Sequence, residues 1–138
     1  MSNDYLFRYN AKLNRVIDGD TMEMIVDHGF RIYSLKTIRL ARCNTPETKG
    51  REKVAGTFVA DFVRQLLDDA KTIVIQSRKI QKTFDRYVFE VVFDGNNLTD
   101  ELLFRRFAWE TNEFGKLIEK RDLKTLDLPR KVANEFDG

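Results

Sequence analysis

Four short stretches of the 138-residue sequence gather side chains able to do chemistry: Val16-Ile17-Asp18-Gly19-Asp20-Thr21, Ile38-Arg39-Leu40, Asn44-Thr45-Pro46-Glu47-Thr48 and Phe84-Asp85-Arg86-Tyr87. Hydrolysis of a phosphodiester requires an anionic phosphate to be held, a water to be activated and the charge of the transition state to be neutralised. Oxygen-rich ligands around a hard cation, together with pre-placed guanidinium groups, meet those needs. Arginine suits the work because its planar fork stays charged and grips two phosphate oxygens at once. Each stretch also has a plainer reading. Asp-Gly-Asp after an alternating strand makes a hairpin turn. Thr-Pro-Glu is a good helix start, with threonine as cap and proline in the first position. Arg39 is explained by a surface or an ion pair, and Arg86 by a solvated loop. Only their order and spacing together favour chemistry.

The elements that must carry these residues are legible in the periodicities. Phe7, Tyr9, Ala11 and Leu13 alternate with polar residues, as in a half-buried strand. A second strand covers Thr21 to Val26, between Asp-Gly turn signals at 18–19 and 27–29. A third is expected from about Phe30 to Cys43, with a bulge or sharp bend near Lys36 where the apolar phase slips. Between 51 and 70 the period changes to four: Val54, Phe58, Phe62 and Leu66, flanked by Val59, Val63 and Leu67, mark an amphipathic helix. Strands at 72–76 and 87–93 follow, joined by a basic loop. Thr99, with Asp100 and Glu101, reads as the cap and acidic first turn of a helix through Phe107. A shorter helix is expected from Phe114 to Leu126, stopped before Pro129, and residues 128–138 are read as a frayed tail. The whole is one domain of α+β class, mainly β: a five-stranded OB-fold Greek-key barrel with two to three helices.

The ordered set of strand, Asp-Gly-Asp-Thr, strand with Arg-Leu, Thr-Pro-Glu-Thr, helix, and arginine before the last strand resembles the staphylococcal nuclease family over roughly residues 7–109. Residues 110–138 match poorly. The resemblance implies a nuclease cutting DNA and/or RNA with little sequence preference and leaving 3′-phosphate ends. It implies Asp20 as a calcium ligand and Thr45 as a ligand through its carbonyl. Glu47 corresponds to the general base, and Arg39 and Arg86 to the arginines that stabilise the transition state. Asn44 stands where the family's best-known member has a second aspartate ligand, so one negative charge is lost while an oxygen is kept. Weaker cation binding follows, with calcium, magnesium or another divalent cation as the partner. Phe84 stands in place of a base-stacking tyrosine, Asp85 in place of a glycine, and the 47–52 loop is shorter. Lys49 and Phe84 are the candidate substrate contacts.

Composition limits the alternatives. Hydrophobic residues make up 42% and charged residues 33%, an ordinary mix for a globular chain. Residues 1–93 hold 16 Lys/Arg against 12 Asp/Glu, and this basic bias fits a polyanionic partner. The run from Arg78 to Arg86 reads by default as a solvated loop; under the family resemblance it would instead flank the groove and steer the strand in. No apolar run reaches the roughly 20 residues of a membrane span, and no secretory signal is visible, which favours an intracellular location. No obligate protein partner is evident. A lone His28 and a lone Cys43 exclude catalysis by paired histidines and the usual zinc sites. Cys43 is expected to pack, and Trp109 and Phe107 to close the core beneath the helix. Two other readings compete. One is a catalytically silent module that binds nucleic acid or protein. The other is a restriction-type nuclease built on Glu47-Thr48-Lys49, which Pro46 argues against.

Overall fold

The alternation that opens the chain becomes one wall of a closed β-barrel. A computed structural model describes residues 7–77, 82–83, 86–112 and 114–133, with only the backbone at 82, 83 and 86. The long strand β1 (Phe7–Asp18) pairs antiparallel with β2 (Thr21–Asp27), which pairs with β3 (Tyr33–Leu40). A two-residue strand β4 (Cys43–Asn44) leads towards helix α1 (Lys53–Asp68). Strand β5 (Ile73–Ser77) lies between β1 and β7 (Arg86–Phe93), with β6 (Lys82–Thr83) added on β7. Parallel pairing of β3 with β7, from Thr37↔Arg86 to Leu40↔Phe89, closes the barrel in the order β1-β2-β3-β7-β5. Beyond it come β8 (Asn96–Asn97), α2 (Leu98–Phe104), β9 (Trp109–Glu110) and α3 (Arg130–Ala133). The architecture is OB-fold-like and mainly β, with three α-helices among the described residues, as the element order implies.

The core explains why closure holds. Met22, Met24, Ile38, Leu40, Ile75 and Val91 point inward with essentially no exposure, and Val59, Val63 and Leu67 of α1 cap them. Full burial of each such side chain stabilises the fold by roughly 1.5–3 kcal/mol. Phe107 packs edge-on between Phe58 and Phe62 and Trp109 is fully buried, so both close the core as expected. No described helix is long and apolar enough to cross a membrane.

Four expectations need correction. Strand β3 spans Tyr33–Leu40 in unbroken register with β2, so no bulge lies at Lys36. The apolar phase slips because Tyr33 and Leu35 face solvent while Ile38 and Leu40 face the core. The irregularities sit in β1 instead, between Leu13 and Arg15 and between Val16 and Asp18. Helix α2 is capped by Asn97, whose side chain accepts from the Asp100 amide at 3.0 Å, and it ends at Phe104. Thr99 is buried and donates to the Ala41 carbonyl at 2.8 Å. Residues 114–126 form no α-helix. The Asn112 side chain accepts from the amides of Phe114 and Lys116, Gly115 adopts φ +81°, and a 3₁₀ turn at Leu123–Thr125 follows. That geometry is an Asx turn, which competes with helix for the backbone. Finally, the start of the tail is packed: Leu128 is buried and α3 follows it, while 134–138 lie outside the described residues.

Cys43 is fully buried, as expected. Burial and then the Asp20 charge push its thiol up to about 12. Because the thiolate is the reactive form, iodoacetamide at pH 8 should alkylate the folded protein roughly a hundred-fold or more slowly than the denatured chain. Equal rates in the two states would contradict this burial.

Candidate functional site

A carboxylate enclosed by the fold organises the site. The Asp18-Gly19-Asp20 turn sends β1 into β2 and leaves Asp20 only 8% exposed. Buried charge is costly unless donors surround it, and here they do. Thr21 Oγ1 donates to Asp20 Oδ1 at 2.9 Å, and the Thr45 amide donates to Oδ2 at 2.9 Å. The Arg39 Nη1 lies 3.3 Å from the same Oδ2. Arg39 faces outward from β3 opposite Thr21, which brings it to this cluster. Its guanidinium also donates to the Asn44 side-chain oxygen and to the carbonyls of Leu40 and Cys43. Asp20, Arg39, Asn44 and Thr45 are thus brought together.

Glu47 lies two residues beyond Thr45 with its side chain exposed. Thr45-Pro46-Glu47 does not start a helix. A 3₁₀ turn at Gly50–Glu52 intervenes before α1, and the backbone around Glu47 is fixed from several sides. Its amide donates to Glu52 Oε1 at 2.9 Å. The Thr48 amide and hydroxyl both donate to Asp18 Oδ1 at 2.9 Å. Helix α1 comes so close that a Cβ on Gly56 would stand 1.9 Å from the Glu47 carbonyl oxygen. A Cβ on Gly19 would meet Val59 at 2.7 Å and Thr45 at 3.0 Å. Two glycines therefore allow helix, turn and loop to pack against one another.

The other candidates are placed less fully. The backbone of Arg86 opens β7 opposite Thr37, two register pairs before Val88 opposite Arg39. Its side chain lies outside the described residues, as do Phe84 and Asp85. Lys49 is exposed on the loop after Glu47. Sequence reasoning missed Arg121, which reaches the site from the C-terminal segment. Its Nη2 donates to the Thr45 carbonyl at 3.2 Å, and its guanidinium pairs with Glu52 at 2.6 and 3.0 Å. Burial pushes the Glu52 carboxyl up, but hydrogen bonds from Arg121 and the Glu47 amide, with the Arg121 charge, outweigh it and hold it below the usual carboxylate range. No periodicity could have announced a contact between residues 52 and 121.

Asp20, the Asn44 amide oxygen and the Thr45 carbonyl are the hard oxygens a calcium or magnesium ion takes. Their oxygen chemistry suits such a cation, but they carry one formal negative charge, and guanidinium groups already engage all three: Arg39 faces Asp20 and Asn44, and Arg121 the Thr45 carbonyl. Among the described residues no three His, Cys, Asp or Glu side chains are grouped as a metal site. No protein-family model matches this chain, and no curated protein matches it either. The resemblance to the nuclease family therefore stands on the short stretches themselves.

Gly56→Ala should lower stability by about 1–3 kcal/mol, because the clash is with backbone and neither side can yield freely. An unchanged urea midpoint for this variant would contradict the close approach of α1 to Glu47.

Proposed function

We propose that this chain is a metal-dependent nuclease hydrolysing phosphodiester bonds of DNA and/or RNA, with Arg39, Glu47 and Arg86 as its catalytic residues. The observation that supports this most is the convergence of Arg39, Asp20, Asn44 and Thr45 beside an exposed carboxylate, Glu47, whose backbone is immobilised. A fixed guanidinium, with a carboxylate carried on an anchored loop of the same site, is an arrangement that phosphodiester hydrolysis can use.

In this reading the scissile phosphate docks against Arg39 and Arg86. Their donors neutralise the negative charge that builds on its oxygens in the transition state. Glu47 takes a proton from a water whose oxygen attacks phosphorus. The bond from phosphorus to the 5′ oxygen breaks, the departing alkoxide takes a proton from solvent, and the phosphate stays on the 3′ side. Asp20, Asn44 and the Thr45 carbonyl would hold a divalent cation, which when bound supplies further charge neutralisation and polarises water. Exposed Lys49, and Phe84 as a stacking face, are proposed to guide the strand.

With single-stranded DNA and calcium, Glu47→Gln and Arg39→Ala should each lose about 10²-fold or more in kcat/KM. Wild type no faster than these variants in any cation would overturn the enzyme reading. Nucleic-acid binding that survived in that case would point to a silent binding module. Asn44→Asp restores a charge to the ligand set, so calorimetry should show calcium binding tighter by about ten-fold. Low-micromolar affinity in wild type would contradict the role given to Asn44.

A further inference from the structure

Among the described residues, the C-terminal segment enters the candidate site through Arg121, whose Nε and Nη2 both have partners there. The guanidinium is stacked over Trp109, 4.6 Å from the ring centroid. Trp109 is itself fixed: it is fully buried, its indole N–H donates to Thr125 Oγ1 at 3.0 Å, and its backbone pairs opposite Asn44 in the β4–β9 ladder. From that platform Arg121 donates to both oxygens of Glu52 and to the Thr45 carbonyl. The same Glu52 Oε1 that accepts from Arg121 also accepts from the Glu47 amide. Arg121 thus holds the backbone on both sides of Pro46, through Thr45 directly and through Glu52 to Glu47. The planar fork spreads these bonds over two nitrogens in a fixed geometry, whereas a lysine would have to make them from one rotatable nitrogen.

We propose that Arg121 is a positioning residue: acting through Glu52 and the Thr45 carbonyl, it fixes the Thr45–Glu47 backbone and so aims the Glu47 carboxylate. Its effect on rate rests on the nuclease reading above, whereas its effect on the loop does not. The Glu47 side chain is exposed and feels the Arg121 charge, but no hydrogen bond among the described contacts holds its carboxylate, so the region it can reach is set by its backbone. That backbone is held from the barrel side by Asp18 on Thr48, and from the other side by Arg121 through Glu52.

The test uses the full chain with Arg121→Met, which keeps an aliphatic stem over Trp109, and Arg121→Lys. Amide hydrogen exchange followed by NMR reads the loop without any need for activity. In Arg121→Met the Glu47 amide should exchange about ten-fold faster, the worth of one hydrogen bond, while the Leu40 amide in the barrel is unchanged. On single-stranded DNA the variant should lose roughly ten-fold in kcat with KM held, as expected of misaimed rather than missing chemistry. Arg121→Lys should recover only part of that loss. In a Glu47→Gln background, Arg121→Met should cost nothing further, because both changes act on one unit. Unchanged exchange at Glu47, acceleration throughout the barrel, or an additive loss in the double variant would each overturn the proposal. Should wild type fail to cleave while Glu47 exchange still depends on Arg121, the nuclease reading falls, and with it the claim on rate.

Discussion

The enclosure of the Asp20 carboxylate is the constraint on which the site's construction depends. A charge that is nearly out of water must be surrounded by donors, and the donors it gathers come from separate parts of the chain. Thr21 opens β2, Arg39 belongs to β3, and the Thr45 amide belongs to the segment after β4. Satisfying one carboxylate therefore fixes where the barrel wall meets the loop that carries Glu47. Arg39 extends the arrangement by spanning Asp20, Asn44 and two backbone carbonyls. A guanidinium bound on that many sides has little freedom left to lose, which is what the proposed stabilisation of a phosphate's charge would require.

Around this centre the chain uses close backbone approach rather than side-chain volume. Gly19 and Gly56 let turn, helix and loop meet where a methyl group would not fit. Arg42 secures the next stretch, pairing with Glu90 at 2.8 and 2.9 Å and with Asp100 at 2.8 Å, and so ties the loop after β3 to β7 and α2. The C-terminal segment adds Arg121 against Thr45 and Glu52. Glu47 is in this way exposed at its carboxylate and immobile at its backbone.

Much of this was legible in the residues, for identifiable reasons. Alternation at Phe7–Leu13 and the four-residue period through Phe58, Phe62 and Leu66 report burial, and burial decides strand and helix. The Asp-Gly-Asp turn, Arg39 and Thr-Pro-Glu lie on elements whose order fixes the barrel, so their clustering followed from topology. Tyr33 and Leu35 misled because they are apolar residues facing outward. Thr99 misled because Asn97 caps the helix better and the threonine hydroxyl turns inward to Ala41. The 114–126 helix failed because Asn112 and Gly115 favour a turn there. Arg121 and Glu52 were invisible because a contact across 69 positions leaves no local pattern.

The measurement that bears most directly on this account is mass spectrometry of the products formed when the purified chain is incubated with single-stranded DNA and with RNA in calcium. Shortened fragments ending in 3′-phosphate, absent when chelator is added, are the expected result. Intact substrate in every cation, or fragments carrying 5′-phosphate and 3′-hydroxyl ends, would contradict it.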